Sequence, residues 1–290
     1  MLTILEMLFL PILGLLVGIV AAMLGIGGGV FIVPALLLLP LSTEFSPTLA
    51  AGTSLTMIIF KAMSSTGGYA RQKRIDYKMG LILATTTILG AFLGAYLTDI
   101  IPSDFLILIF ALFLMYVAFR MIFSYNLDNF KLLKRIRTSY LTRTSGWTRR
   151  ITDSDGEVFE FITDIKLGLF LGFFAGVSSG LLGIGGGSLM VPILHFALSF
   201  PIHLAVATSV FIMVFTSISG VATHLYLESI GNFQHIRFDY ALLLSVGVIF
   251  GAQIGAHISK GVSKENLRRV FGLVLIIVSL RMILKFLGLP

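Results

Sequence analysis

Two short runs carry the residue types best suited to chemistry. Leu24-Gly-Ile-Gly-Gly-Gly29 recurs letter for letter as Leu182-Gly-Ile-Gly-Gly-Gly187. Glycine costs about 1 kcal/mol per residue in a helix interior, so four within five positions break a helix. A helix that restarts from such a break presents unpaired N–H groups and a positive dipole end, which suits an anion. The first restart is predicted near Gly29, running to Pro40, and the second near Gly187. Gly27, Gly28 and Gly29 with Gly185, Gly186 and Gly187 are therefore the predicted backbone donors of a substrate site. Pro34 and Pro192 follow at the same offset, each adding a kink.

The side chains around these breaks fit an anion better than a metal or a cofactor. Thr53-Ser54 and Thr208-Ser209 are expected to open the helices after the breaks, where hydroxyls either cap the helix or donate to an oxyanion. Lys61 lies near the middle of the apolar stretch 49–69, too deep to snorkel easily, and is the predicted source of charge. Its counterpart in the second half is Thr216. Arg120 and Arg281 stand toward helix ends and are expected to snorkel or to pair structurally. No Asp or Glu sits centrally in an apolar segment, which argues against a carboxylate relay or a cation site. There is no cysteine, and His195, His203, His224 and His257 lack metal-ligand spacing, so neither a metal nor a cofactor is expected. The glycines do not form a dinucleotide loop, because Val30 and Ser188 replace its third glycine, nor a phosphate-binding loop, which would end in Gly-Lys-Ser/Thr.

The elements that position these residues belong to a membrane. Of 290 residues, 57% are hydrophobic and only 12% charged; mean hydropathy is +0.99. A soluble chain runs near 25% charged, so soluble enzymes and nucleic-acid binders are excluded despite the net charge of +7. Residues 1–60 hold no Lys or Arg, and Glu6 with no basic leader argues against a cleavable signal peptide. Apolar segments are read at 7–40, 49–69, 79–99, 104–125, 165–200, 204–228, 240–259 and 266–287. The first and fifth exceed the roughly 20 residues of one crossing, and each contains a glycine run. Two glycine stripes, Gly168/Gly172/Gly176/Gly180 and Gly247/Gly251/Gly255, are assigned to close helix contact.

The halves are repeats. Besides the glycine runs, Ile75-Asp-Tyr77 matches Phe238-Asp-Tyr240, Gly90-Ala-x-x-Gly94-Ala matches Gly251-Ala-x-x-Gly255-Ala, and Arg120-Met-Ile122 matches Arg281-Met-Ile283. The fold class is therefore an all-α polytopic integral membrane protein of about eight hydrophobic segments. It divides into a first membrane repeat (1–125), a charged linker (126–164) and a second membrane repeat (165–290). Four full crossings per half would make the repeats parallel. A re-entrant glycine segment would invert them and place 70–78, the linker and 260–269 together on the cytoplasmic face. Counting Lys and Arg favours inversion. Within the linker, Arg150 to Phe161 alternates around Asp155-Gly156, and a small hairpin is predicted there.

The duplicated Leu-Gly-Ile-Gly-Gly-Gly-x4-Pro element, the Thr-Ser pairs that follow it, and the Tyr69…Ile-Asp-Tyr77 stretch resemble the sulfite exporter TauE/SafE family of membrane permeases. The resemblance covers about 8–125 and 165–287; the long charged linker departs from the compact family pattern. It implies export of small sulfur-containing anions such as sulfite, sulfonates or sulfoacetate. With the residues, it leads to a secondary transporter working by alternating access in the cell membrane, with an anion-selective channel as the alternative. No enzyme is expected, since no cluster of acid, base or metal ligands lies within the membrane. The expected partners are the small anion and the lipid bilayer, not nucleic acid, and a homo-oligomer stays open.

Overall fold

The computed structural model describes residues 3–24, 27–39, 41, 43–127, 147–231, 233–258 and 264–287. The segment 7–40 breaks at its glycines into α1 (Ile4–Leu24) and α2 (Gly29–Leu38). Next come α3 (Pro47–Arg71), α4 (Tyr77–Ile100) and α5 (Ser103–Leu127). The predicted hairpin is present as β1 (Trp147–Thr152) and β2 (Val158–Thr163), paired antiparallel from Trp147↔Thr163 to Thr152↔Val158. The second long segment breaks into α6 (Ile165–Leu182) and α7 (Gly187–Pro192), the latter continued by one π turn, Ile193–Ala197. Helices α8 (Ile202–Ile230), α9 (Phe238–Ile258) and α10 (Lys264–Phe286) complete the chain. Residues 25 and 26 of the first break, 128–146 of the linker and the basic 259–263 lie outside the described residues.

Among the described residues, five helices are long and apolar enough to cross a membrane: Ile4–Ala22, Tyr77–Ile100, Ser103–Ile122, Ile165–Leu182 and Ile202–Ile230. At 1.5 Å per residue, the 24 residues of α4 reach about 36 Å, enough for a hydrocarbon core of about 30 Å. The protein is a multi-pass, all-helical membrane protein. The count of about eight segments is met with the two broken segments each supplying two helices.

Local chemistry sets the helix starts. Ser46 caps α3, its Oγ accepting from Leu49 N–H at 3.2 Å with Pro47 in the first turn. Helix α8 starts after Pro201. Thr53-Ser54 and Thr208-Ser209 therefore lie in the second turns of α3 and α8, and the expectation that they open those helices is corrected by one turn or more. Asp76 caps α4, accepting from Met79 N–H at 3.0 Å. In the second half, α9 begins at Phe238, so Arg237 stands at the position Asp76 holds. This agrees with the spacing of Gly90 and Gly251 and shifts the Ile-Asp-Tyr match by two residues.

Of the two predicted stripes, Gly176, Gly180, Gly247 and Gly251 bring backbones into contact, whereas Gly168 and Gly172 meet the side chains of Leu83, Leu198 and Thr86. Gly14 and Gly18 lie on the backbones of Leu244 and Val248, and Gly247 and Gly251 lie on those of Pro11 and Leu15. Gly90 and Gly94 meet the backbones of Phe173 and Val177, while Gly176 and Gly180 meet those of Thr87 and Ala91. Residue numbers rise together along both pairs, so α1 runs parallel to α9 and α4 parallel to α6. The first helix of each half thus packs on the fourth helix of the other, while α3 lies on α8 and α5 on α10.

Two ends can be told apart by their contacts. At the far end, Tyr240 Oη donates to Glu6 Oε1 at 2.8 Å and Arg237 Nη1 donates to Thr43 Oγ1 at 2.6 Å. These bonds gather the starts of α1 and α9 and the α2–α3 connection. At the hairpin end, Phe161 of β2 stacks on Phe200 after the π turn, ring centroids 4.3 Å apart, and Arg149 of β1 pairs with Asp76. Helix α1 starts at the far end and α2 returns to it; α6 starts at the hairpin end and α7 returns to it.

The hairpin is docked rather than dangling. Arg149 grips Asp76 with two hydrogen bonds of 2.8 and 2.7 Å, and Arg74 grips Asp153 at 3.0 and 3.2 Å. Arg149 also stacks over Trp147, the single tryptophan, at 4.5 Å. Asp153 shapes the turn by accepting from the N–H groups of Asp155 and Glu157. Desolvation pushes the Asp153 carboxyl up, but the hydrogen bonds from Arg74 and from those backbone N–H groups outweigh it and hold it below the usual carboxylate range. A carboxylate with a depressed folded-state pKa contributes stability above its unfolded pKa, near 3.9, and loses it as pH falls through the folded value. The expected result is that Trp147 emission stays constant from neutral pH to about pH 5 and shifts red below about pH 4, as the turn loosens. In Asp153→Asn the emission at pH 7 should already resemble that of the acidified wild type.

Candidate functional site

The two glycine breaks meet face to face. A Cβ built on Gly187 would lie 3.4 Å from Gly27 N, and one on Gly27 would lie 2.6 Å from the Ile184 carbonyl oxygen. A Cβ on Gly29 would strike the Gly183 carbonyl oxygen and lie 2.7 Å from Ile184 Cα. Only glycine permits this approach of two backbones. Gly183 and Gly186 have φ of +67° and +76°, the left-handed region that glycine enters at no steric cost. They end α6 and start α7, reversing the chain between them.

Hydroxyls stitch the breaks to the opposite half. Ser54 Oγ of α3 donates to the Gly183 carbonyl at 2.7 Å. Thr53 Oγ1 accepts from Arg237 N–H at 3.0 Å, and Thr208 Oγ1 accepts from Asp76 N–H at 3.1 Å. The two threonines thus perform the same task at opposite ends, each receiving the N–H that precedes the other half's fourth helix. Each is next in sequence to a serine that lies against the second break, Ser54 on the Gly183 carbonyl and Ser209 on the wall of a small cavity. Ser209 Oγ donates to the Val206 carbonyl of its own helix at 2.8 Å.

A cavity of about 10 Å³, room for one water at most, is lined by Gly185, Gly186, Ser209, Met213, Thr87 and Thr216, among others. Thr216 Oγ1 donates to Thr87 Oγ1 at 3.1 Å on its wall. Beside it, Ser179 is fully buried, its Oγ lying 3.6 Å from where a Cβ on Gly186 would stand; this hydroxyl and that of Ser188 have no hydrogen-bond partner among the described residues. Arg120 of α5 donates to the Ser188 carbonyl in the first turn of α7 at 3.3 Å, the structural pairing expected of it.

The first half holds a different chemistry at the matching place. Lys61, 5% exposed on α3, occupies the register of Thr216 on α8. Val17 and Met57 close on Gly28, each with a methyl 3.5 Å from where its Cβ would be. At matching positions α8 thus offers a hydroxyl on the cavity wall and α3 a buried amine.

Of the predicted site residues, Gly27 and Gly29 of the first break meet Gly187 and the Gly183–Ile184 backbone of the second, with Ser54 bonded to Gly183 and Ser209 lining the cavity beside Gly185 and Gly186. Lys61 is buried on the same helix as Ser54. Thr53 and Thr208 stand at the two ends. Gly183, Thr87 and Ser179 were not among the predicted residues; the serine was hidden within a stripe of small residues that reads as helix packing. The histidines are not all scattered: His224 and His235 meet, with Nδ1 atoms 3.4 Å apart. His195 bonds the Phe200 carbonyl at 2.8 Å.

Broken helices from two halves that meet backbone to backbone are the arrangement in which many membrane transporters build their binding sites. Residues 10–282 match the family described as Sulfite exporter TauE/SafE, and the chain belongs to that family. It is 33% identical over 278 residues to a probable membrane transporter protein, YunE, of Bacillus subtilis, covering 94% of this chain and 96% of the relative. A probable membrane transporter protein of Methanocaldococcus jannaschii is 28% identical over 291 residues, covering 96% and 97% of the two chains. YdhB of Bacillus subtilis, named in the same way, is 28% identical over 258 residues, 87% of this chain and 90% of the relative. No solved structure matches the chain significantly.

Proposed function

We propose that this protein is a secondary transporter that exports small sulfur-containing anions, such as sulfite, sulfonates or sulfoacetate, by alternating access. The observation that carries the reading is the contact of Gly27 and Gly29 with Ile184 and Gly187, which sets the starts of α2 and α7 around one point. Broken backbone is tolerated at membrane depth where it is buried in protein or lines a cavity. The positive ends of two helix starts, the hydroxyls of Ser179 and Ser188, and the buried Lys61 favour an oxyanion. The family's description as a sulfite exporter supports the sulfur-containing class.

The two halves act as inverted repeats that rock about the glycine contact. The opposite starting ends of α1 and α6 support this. The hairpin end faces the cytoplasm, a placement supported by Arg71, Lys73, Arg74 and Lys78 and by the basic residues of the linker. Export of one negative charge from a negative-inside cell gains about 2.3 kcal/mol per 100 mV. A cavity no larger than one water supports an occluded carrier over the alternative of a standing anion channel.

The test is efflux of labelled sulfite and sulfonates from proteoliposomes. Wild-type protein is expected to transport at least one of them, and Lys61→Ala and Gly28→Leu should each lower the rate tenfold or more. Wild-type rates in both variants would overturn the site assignment, and single-channel currents far above carrier turnover would favour the channel.

A further inference from the structure

A second buried polar cluster lies at the far end, away from the glycine contact. His224 of α8 is fully buried and His235, in the connection to α9, is 2% exposed. Their Nδ1 atoms face each other at 3.4 Å. His235 Nε2 lies 3.7 Å from Asp99 Oδ1, a carboxylate on the last turn of α4 that is half exposed. The backbone N–H of His235 donates to Glu228 Oε2 at 3.1 Å. His224 Nε2 is buried and has no hydrogen-bond partner among the described residues.

Two imidazoles joined Nδ1 to Nδ1 share one proton, because one nitrogen must donate and the other accept. The position of that proton sets the tautomer of both rings. His235 has the lone pair of His224 Nδ1 on one side and, at 3.7 Å and so beyond a hydrogen bond, the Asp99 carboxylate on the other. The groups facing it are Asp99 from α4 and His224 and Glu228 from α8. Helix α3 offers Gly52, whose Cα backs onto the His235 carbonyl, and Thr53 beside it, neither of them charged. On its own segment, Arg237 is turned to Asp239 and Thr43.

We propose that His235 and His224 form a proton-binding site, opening to solvent through Asp99, in which His235 carries the bound proton and His224 remains neutral and changes tautomer. With the proton bound the pair holds three ring protons: His235 donates from Nδ1 to His224 and from Nε2 toward Asp99, and His224 keeps its proton on Nε2. With it released the pair holds two: His235 keeps Nε2–H, and His224 now donates from Nδ1. The released proton goes to solvent on the Asp99 side. Since His235 rests on Gly52, next to the Thr53 hydroxyl that receives Arg237 N–H, the bound proton bears on the second turn of α3.

The experiment is a pH titration of ¹⁵N-histidine-labelled protein in lipid nanodiscs, followed by NMR, and it needs no transport assay. Single His→Gln variants assign the signals. On acidification His235 is expected to take up the proton while His224 switches from the Nδ1–H to the Nε2–H tautomer at the same midpoint. His235→Gln should abolish the switch in His224, and Asp99→Asn, at a half-exposed position, should move the midpoint to lower pH. A His224 that keeps one tautomer throughout, a His235 that stays neutral to pH 4, or a midpoint indifferent to Asp99→Asn would each overturn the proposal.

Discussion

Gly29→Val is expected to abolish transport and to destabilise the protein by about 3 kcal/mol or more, the upper range for forcing volume into a packed site. The new Cβ would collide with the Gly183 carbonyl oxygen, lie 2.7 Å from Ile184 Cα and 2.9 Å from Ile58 Cδ1. Ile58 can turn away, but the other two are backbone, so the two breaks themselves must separate. A matched control is Gly68→Ala on α3, where an added Cβ meets nothing within 4 Å. There the exchange should leave transport intact and gain up to about 1 kcal/mol from helix propensity. Thermal unfolding and efflux measured on the same preparations decide the matter. Wild-type efflux by Gly29→Val would mean that the breaks need not touch during the cycle.

Asp76→Ala is the second large effect, expected at about 3 kcal/mol for breaking one side of a buried ion pair, with the lost helix cap adding to it. The Asp76 side chain is fully buried and Arg149 is 16% exposed, so the guanidinium left behind keeps little water. The hydrogen bond to Asp76 raises the Arg149 pKa against desolvation; the guanidinium stays charged when that bond is lost because an arginine side chain does not deprotonate in proteins. Trp147 stacks on Arg149 and should report the undocking as a red-shifted emission at neutral pH. Asp76→Asn keeps a cap acceptor for Met79 N–H and separates the two contributions. Should the emission and unfolding temperature of Asp76→Ala match the wild type, the hairpin is held by the Arg74–Asp153 bonds and the Phe161–Phe200 contact.

Much of this architecture could be read from residue order. The breaks at 25–29 and 183–187 were legible because consecutive glycines serve neither helix propensity nor a packing face. The backbone contacts of Gly176, Gly180, Gly247 and Gly251 were legible because a four-residue step marks one helix face. The hairpin followed from alternation around Asp155-Gly156. The illegible features all depend on partners distant in sequence. Nothing near Asp76 indicates Arg149, and nothing near His224 indicates that the chain turns at 231 to return His235 beside it. Thr53 and Thr208 were recognisable as a repeated pair. Their use as acceptors for N–H groups of the opposite half appears only once α3 and α8 are placed. Lys61 was legible as a deep charge, and its pairing with Thr216 as unlike residues at like positions now has a physical counterpart in a buried amine on α3 and a hydroxyl on the cavity wall of α8.

The exchange of helices between halves also dictates an order of events during synthesis. Gly14 and Gly18 on α1 find their backbone partners at Leu244 and Val248, some 230 residues later by subtraction of those numbers. At about 5–20 residues per second, α1 waits roughly 10–50 s in the bilayer with its glycine face turned to lipid. Helix α5 waits in the same way for α10, whereas α4 meets α6 soon after the hairpin emerges. The centre of the molecule is therefore assembled before its beginning, and a ribosome that stalls late in the second half releases a chain whose first helix has no place to dock.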